Sequence, residues 1–138
     1  MTSEEKILKE YRTVAIVGAS PNPERPSYRV ISYLVEHGYH VIPVNPNVRE
    51  VLGKTSYPDL SSIPEKVEIV DIFRRSEEVM PIVDEAIKIG AMVVWMQEGI
   101  ISEEAATKAR NAGLLVVMDK CMRKQHLHLT ETGRLTMP

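Results

Sequence analysis

The chain has 138 residues, 43% of them apolar and 26% charged, and a formal net charge of −2. That length suits one domain with a proper buried core, and the faintly acidic balance argues against a dedicated nucleic-acid or membrane-surface binder. The single cysteine, Cys121, excludes an internal disulfide, no apolar run reaches the length of a membrane span, and the first residues lack a signal peptide's apolar core, so a cytoplasmic protein is expected.

Residues 1–10 are expected to form a helical extension. The β-branched run TVAIVG, residues 13–18, reads as a strand buried on both faces. From Pro26 to His37, Val30, Ile31, Leu34 and Val35 fall at helical spacing, and Gly38 stands where a helix-ending glycine belongs. YHVIPV, 39–44, is the second strand. Pro43 is awkward inside a central strand, which suggests light pairing on that side or the nearness of the strand's end. Residues 45–66 form a long irregular connection, with one helical turn expected around Val48–Leu52. VEIVDIF, 67–73, is the third strand.

SEEVMPIVDEAIKIG, 76–90, predicts a helix capped by Ser76 and stopped by Gly90, with Pro81 near its first turn. AMVVWM, 91–96, is the fourth strand. Ser102 to Gly113 is a capped helix, and LLVVMD, 114–119, is the fifth strand. From Lys120 onward a polar tail with one short turn is expected, residues 127–138 forming the C-terminal tail of the single domain 1–138. Strands alternating with helices predict an α/β fold. The expectation is a single Rossmann-like, three-layer domain around a mainly parallel five-stranded sheet of order 3-2-1-4-5.

In such a sheet ligands bind outside the carboxyl ends of the strands. Those ends gather Gly18, Ala19, Ser20 and Pro21; Asn45 and Pro46; Phe73, Arg74 and Arg75; Met96, Gln97, Glu98 and Gly99; and Asp119, Lys120 and Cys121. Gly18 permits a tight turn, and the helix that follows points its N–H groups at the same rim. Ser20 and Ser27 add hydroxyls, while Arg25, Arg74 and Arg75 add charge suited to phosphate. A plain turn, in which the glycine solves only a backbone problem, stays open beside this reading, as does simple ion pairing of the arginines with the glutamates that follow them.

A classical NAD site carries an acid at the end of the second strand to hold a ribose hydroxyl, and two further glycines in the first loop. Here Asn45 and Pro46 replace the acid, and three prolines and an arginine replace the glycines. An adenine nucleotide with another phosphate pattern therefore fits better than NAD.

Four segments taken together, VAIVGASPNPERPSYRV (14–30), HVIPVNPNVREVLGKTSYPDLSSIPEKVEIVDIFRR (40–75), VVWMQEGI (93–100) and VVMDKCMRKQH (116–126), resemble the small single-domain CoA-binding protein family. That family is similar to the N-terminal CoA-binding domain of the succinyl-CoA synthetase α subunit. The resemblance runs from Tyr11 to His126 and implies coenzyme A at the strand ends. It implies a phosphate-facing turn at Gly18, Ala19, Ser20 and Ser27, an adenosine side at Asn45 and Pro46, and a strand-end contact at Arg74. It places the pantetheine arm along Gln97, Glu98 and Gly99. Lys54 and Tyr57 match the family's pattern as structural residues.

The synthetase works through a phosphorylated histidine in a second domain, beside a partner subunit. No such domain is expected here, and the histidines at 37, 40, 126 and 128 lie off the main rim, His37 and His40 as ordinary surface residues. Three classes of function stay open: a non-catalytic module binding CoA or an acyl-CoA as carrier, sensor or partner subunit, a CoA-dependent enzyme, and an NAD-binding redox protein. For an enzyme only Glu98 and Cys121 offer themselves as base and nucleophile, and no metal site is expected. Cys121 invites two readings, a thiol that exchanges with CoA or a half-buried small hydrophobe. A homodimer or an unknown protein partner is also open.

Overall fold

The computed structural model describes residues 2–135. The five apolar runs become parallel strands of one sheet. They are β1 (Thr13–Val17) and β2 (His40–Val44), then, after a small hairpin of β3 (Glu50–Val51) and β4 (Lys54–Thr55), β5 (Ile69–Ile72), β6 (Val93–Met96) and β7 (Leu115–Val117). Register runs straight across the middle, with Val14 beside both Val41 and Ile69, and Ile69 beside Val93.

The sheet order is β2-β1-β5-β6-β7. Counting the five main strands along the chain, this is 2-1-3-4-5, which corrects the expected 3-2-1-4-5. Pro43 supplies the physical reason. Its carbonyl faces outward and accepts from the Tyr57 N–H at 3.1 Å, whereas the neighbouring Val44 carbonyl faces β1 and accepts from Gly18. A residue's N–H and C=O leave a strand on the same side, so the N–H that proline lacks also faces outward. A third strand on that side would lose a ladder bond, so β2 stays at the edge and β5 pairs with β1.

Helices α1 (Ser3–Glu10), α2 (Pro26–Glu36) and α5 (Met122–Glu131) cover one face. Their Ile7, Leu8, Val30, Ile31, Leu34, Met122 and Leu129 pack on Ile16, Val41, Ile69 and Trp95. Helices α3 (Val79–Lys88) and α4 (Glu103–Asn111) cover the other, setting Val79, Val83, Ala86, Ala105, Ala106 and Ala109 on Ala15, Val70, Ile72 and Met96.

Three local expectations are corrected. The helical turn around Val48–Leu52 is instead the hairpin, turned by Leu52 and Gly53, both at positive φ as a two-residue primed turn requires. Ser76 does not cap α3. Residues Ser76–Glu78 form a 3-10 turn, and the Ser76 hydroxyl oxygen accepts the Ile101 N–H at 3.0 Å. The polar tail contains the ten-residue α5. Its inward residues Met122, His126 and Leu129 follow an i, i+4, i+7 stripe with a histidine in an apolar place. The end of the expected tail, residues 136–138, lies outside the described residues. Ser102 does cap α4, accepting the Ala105 N–H.

Candidate functional site at the strand ends

The new order moves the switch point. The helix after β1 goes to one face and the helix after β5 to the other, so the crevice opens between the ends of these two neighbours. Gly18 sits at its root. With φ at +91°, a Cβ there would stand 2.6 Å from the Phe73 carbonyl oxygen. The glycine is thus demanded by the close approach of two strand ends, before any ligand is considered.

A cleft of about 960 Å³ opens above this junction, within the size range of small-molecule sites. Of the residues expected at the site, it is lined by Gly18, Ser20, Arg25 and Ser27 from the β1–α2 segment and by Asn45 from β2. Phe73 and Arg74 come from β5, Gln97, Glu98 and Gly99 from β6, and Cys121 from the start of α5. Four expected residues lie outside the lining. Ala19 and Met96 are fully buried in the core, because strand-end alternation turns them inward. Pro21 and Pro46 are exposed and lie outside the lining.

The first loop is stiffened by its own side chains. Ser27 Oγ accepts the Ser20 N–H at 3.1 Å, Ser20 Oγ accepts from Asn22, and Asn22 Oδ1 accepts from Glu24. Arg25 stands at the cap of α2 with no capping side-chain bond, unlike Thr2 before α1 and Ser102 before α4. The start of α2 thus meets the cleft at Pro26, Ser27 and Arg29 without a side-chain acceptor from the cap, while the Tyr28 N–H donates to the Arg25 carbonyl at 3.1 Å. Asn45 is engaged at both ends of its amide. Its nitrogen donates to the Ala19 carbonyl at 2.7 Å and its oxygen accepts the Asn47 N–H at 2.8 Å. It ties two loops together where a dinucleotide site would hold a ribose.

The sequence pattern did not place α5 here, and with it Arg123 and Lys124 join the lining, as does Arg29 from α2. Inward spacing of Met122, His126 and Leu129 was the signal for that helix. Gln97, nearly buried, fixes it by accepting the Met122 N–H at 3.1 Å. Asp119, at φ +60°, accepts the Gly99 N–H at 2.7 Å and holds the β6 loop from below. Lys120 turns away to Glu4 at 2.6 Å.

Six basic residues against two acidic ones line this cleft, in a chain of net charge −2. Arg75 is paired with Glu77 and Glu78, and Lys124 with Glu98 at 2.8 Å, a carboxylate that holds the ammonium above its ordinary pKa. Arg25, Arg74 and Arg123 have no ion-pair or side-chain hydrogen-bond partner among the described residues. They reach the cleft from three different elements. Three unengaged guanidinium groups in one cleft suit a ligand with several phosphate charges.

Two buried titratable groups lie on the same sheet face as α5. Asp71, in register between Ile16 and Trp95, is fully buried with neither carboxyl oxygen bonded, and burial pushes its pKa well above the ordinary value. His126 takes a hydrogen bond with the Tyr33 hydroxyl at 2.8 Å beside His37 and Tyr39. Burial, then the nearby His37 and Arg12, lower its pKa to about 4. His37 is half-buried and stacked on Tyr33, which corrects its expected place as a plain surface residue, whereas His40 is exposed and bonded to Glu65.

Fold, crevice and charge together define an α/β domain with a basic cleft at a topological switch point. The chain belongs to the CoA-binding domain family, whose model matches residues 12–126, and coenzyme A is the cofactor that membership gives it. It is 36% identical to the uncharacterized protein YneT of Bacillus subtilis over 88% of this chain and 90% of that one. A solved structure of a hypothetical protein from Pyrococcus horikoshii superposes with a TM-score of 0.91 at 46% identity, covering 94% of this chain and 93% of the other. ADP-forming acetate–CoA ligase I of Archaeoglobus fulgidus is 29% identical over 80% of this chain, which spans 18% of that ligase. Among the described residues no helix is long and apolar enough to cross a membrane.

Proposed function

We propose that the chain binds coenzyme A or an acyl-CoA in the cleft between β1, β5 and α5 as a non-catalytic module, serving as carrier, sensor or partner of another protein. The observation that carries this reading is the convergence of Arg25, Arg74 and Arg123, without ion-pair partners among the described residues, on the opening beside the bare start of α2. The diphosphate and ribose phosphate of CoA supply the anions that such a set takes. Gln97, Glu98 and Gly99 then flank the pantetheine arm. Glu98 is engaged with Lys124, and among the described residues no side chain hydrogen-bonds the Cys121 thiol to act as its base. Both observations favour binding over catalysis. The engaged amide of Asn45 speaks against NAD.

The test is calorimetry with CoA, acetyl-CoA, NAD and ATP. CoA and acetyl-CoA are expected to bind well above NAD and ATP. Arg74→Ala should weaken CoA about tenfold, the cost of one charge-assisted contact. Arg75→Ala, whose guanidinium is already paired with glutamates, should change affinity less than about twofold. Preference for NAD, or equal losses in the two variants, would sink the reading.

A further inference from the structure

A second, smaller hollow opens off the basic cleft. It is a groove of about 420 Å³ between α2 and the start of α5, within the size range of small-molecule sites. Tyr28, Ser32 and Glu36 stand four residues apart and, with Tyr33, run along it as one stripe of α2, on the side opposite the Val30, Ile31 and Leu34 that pack on the sheet. Arg29 and Arg123 line both hollows, so groove and cleft meet across these two side chains. The groove walls are mostly ring and methylene carbon. The Tyr33 hydroxyl is taken by His126 Nδ1 at 2.8 Å and its ring stacks on His37 at 4.0 Å, so this wall is fixed with its polar end engaged. Arg29 Nη2 donates to the Glu24 carbonyl at 2.9 Å, which tethers the guanidinium to the first loop and leaves its methylene stem as the partition.

The junction stands at one end of the cleft. Lys124, the residue after Arg123, bonds Glu98 at 2.8 Å, so the first turn of α5 lies against the segment that the CoA reading gives to the pantetheine arm. On that reading the thiol end of the arm comes to rest at the mouth of the groove. From Arg29 to Glu36 the helix rises about 10 Å. A two-carbon acetyl group stops at the mouth, whereas a longer chain runs along the ring and stem carbon beyond it. Glu36, at the far end, repels a chain that ends in a carboxylate. We propose that the groove seats the acyl chain of an acyl-CoA, uncharged and longer than acetyl, so that such thioesters rather than free CoA are the preferred ligands. The inference rests on the CoA reading of the cleft and names the class of cofactor it takes.

Calorimetry on the full chain compares CoA, acetyl-CoA, butyryl-CoA and hexanoyl-CoA across three proteins: the wild type, Ser32→Trp, which fills the groove, and Tyr28→Ala, which removes a wall. Melting curves check that both variants are folded. In the wild type, affinity should rise from acetyl to hexanoyl by about twofold per added methylene, half the free energy of full burial because the groove is open on one side. Both variants should bind free CoA within about twofold of the wild type and lose most of that rise. A flat series in a wild type that binds CoA overturns the acyl seat and leaves the cofactor reading intact. A rise that survives in both variants puts the chain elsewhere and overturns it too. Loss of free CoA binding in the folded variants means that another part of the cofactor, such as its base, fills the groove, which also overturns the proposal. No binding heat from any of the four ligands overturns both readings.

Discussion

The two faces of the sheet are built differently. Under α3 and α4 the buried helical residues are valines and alanines alone: Val79, Val83, Ala86, Ala105, Ala106 and Ala109. Under α1, α2 and α5 the core also takes in Glu5, Ser27, Asp71, Gln97 and His126. Burying polar groups costs free energy unless they are partnered. Most of these are: Glu5 by Arg134, Ser27 by Ser20, Gln97 by Met122 and His126 by Tyr33, while Asp71 is not. One face is a plain scaffold, and the other accepts that cost, at Ser27 and Gln97 in the cleft lining and at Glu5, Asp71 and His126 away from it. Position on a strand therefore says less about function than which side of the sheet a residue faces.

The largest effect should come from the scaffold side. Met96→Ala is expected to remove about 2–5 kcal/mol of stability, the usual cost of truncating a fully buried side chain, seen in urea unfolding. CoA affinity of the folded variant should stay within about twofold. A large loss of affinity at unchanged stability would erase the distinction between the faces.

Asp71 tests the other side with the opposite sign. Asp71→Val should raise stability at neutral pH by about 1–3 kcal/mol, because it removes an unsatisfied buried carboxyl. The folded-state pKa is raised, so the native protein keeps a proton that the unfolded chain has lost. Stability then falls as pH rises from the ordinary carboxyl range toward the folded value, and Asp71→Asn should flatten that fall. Loss of stability in both variants would mean that the carboxyl is satisfied by a partner.

The smallest effect is confined to acid. His126 is held neutral, with a folded pKa of about 4 against an ordinary 6.5. Its contribution is whole above the unfolded value and is lost as pH falls from there toward the folded one. The groups facing it are Tyr33 on α2, His37 at its C-terminal cap, Tyr39 before β2, and Arg12 after α1. His126→Gln should remove this slope from a melting-temperature series across that window. A slope unchanged in the variant would place the acid sensitivity elsewhere.

How legible was this in the sequence? The five strands were, because β-branched runs such as VAIV and VVWM declare buried strands locally. Strand order was not, since it depends on which partner tolerates Pro43, and that residue's significance was visible while its outward direction was not. Gly18, Arg74 and Gln97 could be expected to line the cleft because an α/β sheet gathers its loops at the strand ends whatever the order. Ala19 and Met96 were placed at the site by position alone, and a shift of one residue along a strand end separates cleft from core. Arg123 needed α5, whose stripe carries a histidine where an apolar residue is usual. Asp71 reads in the sequence as one acid among hydrophobics, and only packing shows that nothing satisfies it.

Pro43 has a further consequence, for how this domain meets other chains. A sheet edge is a template on which a foreign strand can crystallise, and fibrils grow by that route. At β2 the template is spoiled twice. Proline leaves a gap in the row of donors, and Tyr57 already occupies the neighbouring acceptor and the Asn45 N–H through a single bridge to Val44. The opposite margin is β7, only three residues long. Both margins therefore make poor seeds for edge-to-edge association.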